Sequence, residues 1–138
     1  MNNKTTGNRF ESLLCQTLFE HGFWCHNLAQ NQAGQPADII AVVNGRAYLI
    51  DCKVCLNRKF PFARVEENQD LSMSLWESCG NGNGWFALLL DEEVYMMAHS
   101  VIADDRKNQA GYNASEIQTG IPLNEWIGTI LRFGKVEK

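Results

Sequence analysis

The sequence has no long hydrophobic run, and no stretch approaches the roughly 18 apolar residues that a membrane-spanning helix requires. Its first ten residues, MNNKTTGNRF, are polar and do not resemble a secretion signal. We therefore expect a soluble, cytoplasmic protein that does not act on membranes. With 138 residues, 45% of them hydrophobic, the chain can bury one ordinary core, so we expect a single domain over residues 1–138.

The cysteines are too few and too irregularly spaced to form the disulfide framework of a small secreted protein. There are five, an odd number. Cys52 and Cys55 form one C-x-x-C pair, but no second pair follows it. Reduced thiols are therefore favoured over a zinc or redox site.

The sequence also lacks an excess of basic residues. Its net charge is −4, which argues against a strongly basic protein that binds DNA without regard to sequence. The distribution is uneven, because residues 1–70 hold seven basic and seven acidic residues while the second half holds the acidic excess. Arg58, Lys59 and Arg64 form a short basic cluster, which is either a solvated loop or a set of phosphate contacts.

The hydrophobic pattern predicts alternating helices and strands. Residues 8–21 have the spacing of an amphipathic helix, with Asn8 as its cap and Gly22 at its end. A short strand from Phe23 and a loop over residues 30–36 follow.

Asn44-Gly45 is the strongest local signal in the chain, because this dipeptide is typical of two-residue hairpin turns. It predicts an antiparallel pair of strands. The elements predicted from this point are strands over residues 37–43 and 46–54, a helix over 65–79, a hairpin of residues 85–90 and 94–98, a polar loop over 104–120 and a short helix over 123–132. This order predicts a mixed α/β fold with one central sheet flanked by helices.

The second strand of the first hairpin carries charges where a central strand should have none. Alternation places Asp51 and Lys53 on one face, between apolar neighbours on both faces. Burying an ionised carboxylate is costly unless it is paired or bound to a cation. An ion pair at a frayed strand end is one explanation.

Asp38 favours a second explanation, since it is the single charge of the first strand. Pairing around the turn sets residues whose numbers sum to about 89 opposite each other, so we expect Asp38 to face Asp51. Opposed carboxylates repel each other unless a cation lies between them. Oxygen ligands favour Mg²⁺ or Mn²⁺ over zinc.

Two further polar residues lie on otherwise apolar helix faces. Gln69 shares the inward face of its predicted helix with Met73 and Trp76, either as a site residue or as a hydrogen-bonded core glutamine. Glu11 lies at the edge of the first helix's apolar face, but three residues after Asn8 it also has capping-box spacing. The three histidines, His21, His26 and His99, show no ligand or triad spacing and are assigned to packing or surface.

These pieces resemble the PD-(D/E)-x-K nuclease superfamily, and within it most of all the RecU-type Holliday junction resolvases. The resemblance rests on the following segments: Glu11, the P-A-D of residues 36–38, the D-C-K of residues 51–53, the F-P-F of residues 60–62, Gln69, and the GWFALLLDEEVYMM of residues 84–97. It covers roughly residues 7–100 and leaves residues 101–138 as a C-terminal extension.

The resemblance implies a restriction-endonuclease-like fold and a Mg²⁺-dependent deoxyribonuclease that acts on branched DNA as a homodimer. It implies that Asp38, Asp51 and Gln69, with Glu11, bind the metal, and that Lys53 stabilises the transition state or positions the attacking water. Arg58, Lys59 and Arg64 are the candidate DNA contacts. A general phage-type or restriction-type endonuclease, or a non-catalytic nucleic-acid-binding module, shares the same fold and remains an alternative.

Overall fold

The computed structural model describes residues 3–28 and 37–133. The predicted loop over residues 30–36, including Pro36 of the P-A-D segment, lies outside these ranges. The helices are α1 Asn3–Glu20, α2 Glu67–Trp76, α3 His99–Asp105, α4 Ala114–Ile117 and α5 Leu123–Phe133. The strands are β1 Trp24–Asn27, β2 Ile39–Val43, β3 Arg46–Val54, β4 Phe60–Pro61, β5 Trp85–Leu90, β6 Glu93–Ala98, β7 Gly111–Tyr112 and β8 Ile121–Pro122.

The centre of the described part is a six-stranded sheet with the order β1-β2-β3-β5-β6-β8. Only the β3–β5 pair in this sheet is parallel. Apolar side chains of α1 and α5 form one core on the sheet, and those of α2, α3 and α4 form a second core. The predicted mixed α/β class with flanking helices is confirmed, and β3 lies inside the sheet with its residues covered on both faces.

The first hairpin has the predicted turn and register. Asn44 and Gly45 have φ values of 53° and 74°, the left-handed conformation that a type I′ turn requires at both positions. Ile39 pairs with Ile50, so the residue numbers sum to 89 along the pair. Asp38 leaves this register, because its N–H donates to the Ile50 carbonyl at 3.1 Å and the strand begins one residue later.

Three predicted boundaries are wrong. α1 begins at Asn3, so Asn8 lies inside the helix rather than at its cap; residues 3–7 contain no proline, and a nucleated helix extends readily through such a segment. α2 is shorter than predicted and ends at Trp76, followed by a wide turn over Glu77–Asn81. Residues 104–120 are not a loop, since they include the end of α3 together with β7 and α4.

The short elements α3, α4, β7 and β8 escaped prediction because the two helices have fewer than two turns and the two strands form only two residue pairs each, too few to show a period. A cap and burial stabilise them instead. The Asn113 side chain accepts a hydrogen bond from the Glu116 N–H and caps α4, and Tyr112 and Ile117 are buried. Residues 101–133, predicted to be an extension, supply β8 and α5 to the sheet and its core. No described helix is both long and apolar enough to cross a bilayer.

Candidate active site

The structure brings Asp38, Asp51, Lys53 and Gln69 together at one end of the central strands. Asp51 and Lys53 lie on β3, Asp38 lies in the bend just before β2, and Gln69 lies in the first turn of α2. Asp51 is fully buried, and Asp38 and Gln69 are each 7% exposed. Polar groups buried to this degree require partners, and these residues are one another's partners.

Gln69 bridges the two charged residues of β3. Its Oε1 accepts a hydrogen bond from Lys53 Nζ at 3.1 Å, and its Nε2 donates to Asp51 Oδ1 at 3.2 Å. The Glu66 N–H also donates to Oε1, at 3.3 Å, and this bond holds the amide at the start of α2. The predicted inward orientation of Gln69 is confirmed, and its amide is bound to charged residues rather than to the apolar core.

Asp51 lies in an environment that opposes its ionisation. Burial and the negative charge of Asp38 raise the pKa of its carboxyl well above the usual range, while Lys53 acts in the opposite direction. Lys53 Nζ lies 3.1 Å from Asp51 Oδ2, which is the ion pair expected from the i, i+2 spacing. Within the described residues, however, Oδ2 has no hydrogen-bond donor directed at it. The ammonium alone therefore leaves this buried oxygen incompletely satisfied.

Asp38 contacts β3 through its backbone and its side chain. Its Oδ2 accepts a hydrogen bond from the Cys52 N–H at 2.8 Å, between the two charged residues of β3. Its carbonyl accepts from the Leu28 N–H at 2.8 Å, so the bend is fixed on both sides. The departure from the hairpin register therefore places the carboxylate of Asp38 beside Asp51 rather than directly across the ladder.

Glu11 belongs to the same electrostatic group. Burial, and to a smaller extent the negative charge of Asp38, raise the pKa of its carboxyl to about 7 against the opposing effect of Lys53. Because α1 begins at Asn3, Glu11 lies in the third turn, so the capping-box interpretation is wrong. Glu11 thus approaches the group from α1, on the side of the sheet opposite Gln69.

A pH prediction follows for the metal-free protein. The folded-state pKa of Glu11 lies above the ordinary value of 4.5, so ionising Glu11 destabilises the fold as pH rises from about 4.5 to about 7. Glu11→Gln removes this penalty. We expect the variant to be more stable than the wild type at pH 8 and equally stable at pH 4.5, measured by urea unfolding in a chelator. A stability difference that is the same at both pH values would contradict the assignment.

The three predicted DNA contacts differ in their exposure and in their partners. Arg58 pairs with Asp91 at 3.1 Å, with more than half of each side chain exposed, and Lys59 is exposed. Arg64 is half-buried and donates from its guanidinium to the Val54 carbonyl at the end of β3. Only Arg58 and Lys59 have their charged groups in solvent, although Arg64 fixes the segment that follows the site.

The described residues contain no group of three His, Cys, Asp or Glu side chains arranged to hold a metal without other ligands. Any metal here depends on two close carboxylates together with amide, backbone or water oxygens. The C-x-x-C pair belongs to no group of three such ligands among the described residues. Burial raises the pKa of the Cys55 thiol to about 11 and raises that of Cys52 well above the usual range.

His99 is a residue that sequence reasoning missed. It was assigned to packing or surface, yet its buried ring lies between the carboxylates of Asp70 and Glu77. Asp70 directly follows Gln69 in α2. No spacing rule relates His99 to a residue 29 positions earlier, so the contact could be found only from the fold.

Comparison with known proteins places this geometry in context. The sequence model of a family described as archaeal Holliday junction resolvase (Hjc) matches residues 2–133. No curated protein matches the chain. Among solved structures, the chain is similar to Hjc of Archaeoglobus fulgidus, a Holliday junction resolvase from an archaeal hyperthermophile, with a TM-score of 0.71 and 18% identity over 88% of this chain and 100% of that one. At this identity the likeness shows the fold, and the narrower resemblance to RecU-type resolvases stays a prediction.

Proposed function

Because the chain belongs to the archaeal Holliday junction resolvase family, it is a DNA nuclease of recombination and repair, and we propose that it cuts branched DNA with Mg²⁺ or Mn²⁺ bound at Asp38 and Asp51. The observation that carries this proposal is the pair of buried carboxyl groups, Asp51 and Asp38, which have one ammonium, that of Lys53, at 3.1 Å from Asp51 Oδ2. One positive charge does not neutralise two buried carboxylates, and a divalent cation would.

The residues present fit a hard divalent cation. Asp38 and Asp51 supply the charged oxygens, and we propose that the amide oxygen of Gln69 and water complete the set. Glu11, which approaches from α1, is proposed to add its negative charge to the site without a direct place among the close ligands. When bound, such a cation neutralises a phosphate oxygen and makes a bound water more acidic. The pKa of Asp51 and that of Glu11 are both raised, first by burial and then by the charge of Asp38, so a bound cation would favour the ionised form of each.

Lys53 is assigned to the chemical step. Its side chain is only 11% exposed, and its ammonium lies 3.1 Å from both Asp51 and Gln69. This arrangement presents a fixed positive charge beside the carboxylates, where it can contact the attacking water or the charge that develops on the phosphate. Gln69 fixes the direction of the ammonium, while Arg58 and Lys59 are proposed to contact phosphates of the bound DNA.

A non-catalytic nucleic-acid-binding module is the main alternative. Such a module would have no use for a lysine and three carboxyl groups held at one partly buried site, and their burial would only destabilise it. A general endonuclease that ignores branching is the second alternative, because the same fold serves many nucleases.

A cleavage panel tests the proposal and both alternatives. Four-way junction, flap, linear duplex and single-stranded DNA are incubated with the protein in Mg²⁺, Mn²⁺, Ca²⁺ or chelator, and melting is recorded in each condition. We expect cleavage of the junction in Mg²⁺ and Mn²⁺ only, and a higher Tm with the metal than with chelator. Junction binding without cleavage in any metal would favour the non-catalytic module, and equal cleavage of linear duplex would favour the general endonuclease.

The proposed active form is a homodimer. One chain offers a single site, whereas resolving a junction requires two symmetric cuts, so two copies related by a two-fold axis are the simplest solution. The hairpin Trp85–Ala98 is largely buried in the sheet, so it offers little surface for a dimer contact. We expect sedimentation of the free protein to give about twice the 15.6 kDa chain mass and cleavage mapping to give paired nicks. A monomer that makes single nicks would contradict the prediction.

A further inference from the structure

His99 lies at the start of α3 with its ring between two acidic side chains. It is 3% exposed. Its Nε2 lies 2.6 Å from Asp70 Oδ1, and its Nδ1 lies 3.2 Å from both carboxylate oxygens of Glu77. Asp70 belongs to α2 and Glu77 to the turn that follows it, so one ring connects α3 to both ends of α2.

The chemistry of these contacts makes them strong. A carboxylate only accepts hydrogen bonds, so each ring nitrogen can bond its carboxylate only as the donor. Hydrogen bonds between charged groups are shorter and stronger than neutral ones. A substitution that removes the ring would take this partner from Asp70 and would leave Glu77 with the Gly84 N–H.

Gly84 adds backbone bonds to the same connection. The Gly84 N–H donates to Glu77 Oε2 at 2.8 Å, and the His99 N–H donates to the Gly84 carbonyl at 2.8 Å. Met73 of α2 packs so closely here that a Cβ at position 84 would lie 2.8 Å from its sulfur. Helix α2 is therefore held against the beginning of β5 by side-chain bonds, backbone bonds and close packing.

The connection bears directly on the active site, because Asp70 follows Gln69 in α2. The His99–Asp70 contact fixes how far α2 is rotated about its axis, and this rotation sets where the amide of Gln69 lies. We propose that His99 is a positioning residue of the nuclease site: it holds α2 so that Gln69 bridges Asp51 and Lys53. This inference rests on the proposed function, in which Gln69 orients Lys53.

Kinetics on the four-way junction test the inference. We expect His99→Leu to lower kcat about tenfold or more with little change in KM, because small displacements of a catalytic group reduce turnover strongly. Gln69→Ala should also lower kcat, and the double variant should be no slower than Gln69→Ala, since His99 acts through Gln69. His21→Leu, at an exposed histidine at the end of α1, is the matched control and should behave as wild type.

Full kcat in His99→Leu would overturn the inference. So would a double variant whose loss of kcat equals the product of the losses in the two single variants. If His99→Leu does not fold, Asp70→Ala replaces it, because this change removes the partner of His99 Nε2 at a side chain that is 38% exposed and so leaves no buried cavity. The same pattern is then expected, and wild-type kcat would overturn the inference.

A second readout does not depend on cleavage. In metal-free protein, the side-chain amide signal of Gln69 in a ¹⁵N–¹H spectrum, assigned by its loss in Gln69→Ala, should move in His99→Leu and stay in place in His21→Leu. An unmoved signal would overturn the inference even if the wild type is active. If the wild type cuts no DNA, the proposed function fails and this signal alone decides whether His99 positions Gln69.

Discussion

Asp38→Asn is expected to abolish metal-dependent cleavage of a four-way junction and to leave the metal-free protein at least as stable as the wild type. The variant lacks one of the two buried charges proposed to hold the cation. Its amide oxygen can still accept the hydrogen bond that the Cys52 N–H gives to Asp38. It also removes the charge that raises the pKa of Asp51, so the repulsion between the two carboxyl groups is relieved.

Two measurements check this prediction together: cleavage in Mg²⁺ and urea unfolding in chelator. Asp104→Asn is the matched control, because Asp104 is 77% exposed and pairs only loosely with Lys107, at 3.7 Å. It should retain both activity and stability. If Asp38→Asn unfolds under conditions where the metal-free wild type is folded, Asp38 is a structural charge rather than a metal ligand.

The combination of stability and inactivity separates a metal site from a structural ion pair. A structural pair loses stability when one partner is removed, because the other is left buried and unpaired. When two like-charged metal ligands lie close together, neutralising one of them raises the stability of the metal-free protein. Glu11→Gln should show the same sign above pH 7, where the wild-type carboxyl is ionised.

The hairpin that carries most of the site could be predicted from sequence because its signals are local. Asn44-Gly45 determines the turn, the turn determines the register, and alternation along the strand then assigns Asp51 and Lys53 to one face. The same register predicts that Asp38 lies near Asp51. The departure of Asp38 from the ladder could not be predicted, because it depends on backbone hydrogen bonds to Ile50 and Leu28 that no local pattern encodes.

The contacts of the flanking helices were only partly predictable. Periodicity showed that Gln69 points inward, but its choice of Asp51 and Lys53 as partners depends on how α2 packs on the sheet. The role of Glu11 could not be predicted either. Its spacing from Asn8 is that of a capping box, but the helix begins at Asn3 and places Glu11 in its third turn. The His99 contacts join residues 22 and 29 positions apart, and such distances are set by the fold alone.

Lys53→Ala is expected to lower kcat for junction cleavage by about 10² or more while leaving metal and DNA binding intact. The ammonium lies 3.1 Å from both Asp51 and Gln69, so it is fixed before the substrate arrives and loses little entropy in the reaction. Its removal takes away a positive charge at the reacting phosphate but none of the proposed metal ligands. The loss should therefore appear in kcat, with the junction Kd and the metal-induced rise in Tm retained.

Lys107→Ala is the matched control, since Lys107 is a 73% exposed lysine in a weak i, i+3 pair. Its kcat should equal that of the wild type. Lys53→Arg is informative as well: it restores the charge, but a planar guanidinium cannot reproduce the compact ammonium contact with Gln69, so we expect only partial recovery. Full nuclease activity in Lys53→Ala would refute the assigned role. A loss of Mg²⁺ binding in Lys53→Ala would instead show that the lysine holds the carboxylates in place for the metal and takes no part in the chemical step.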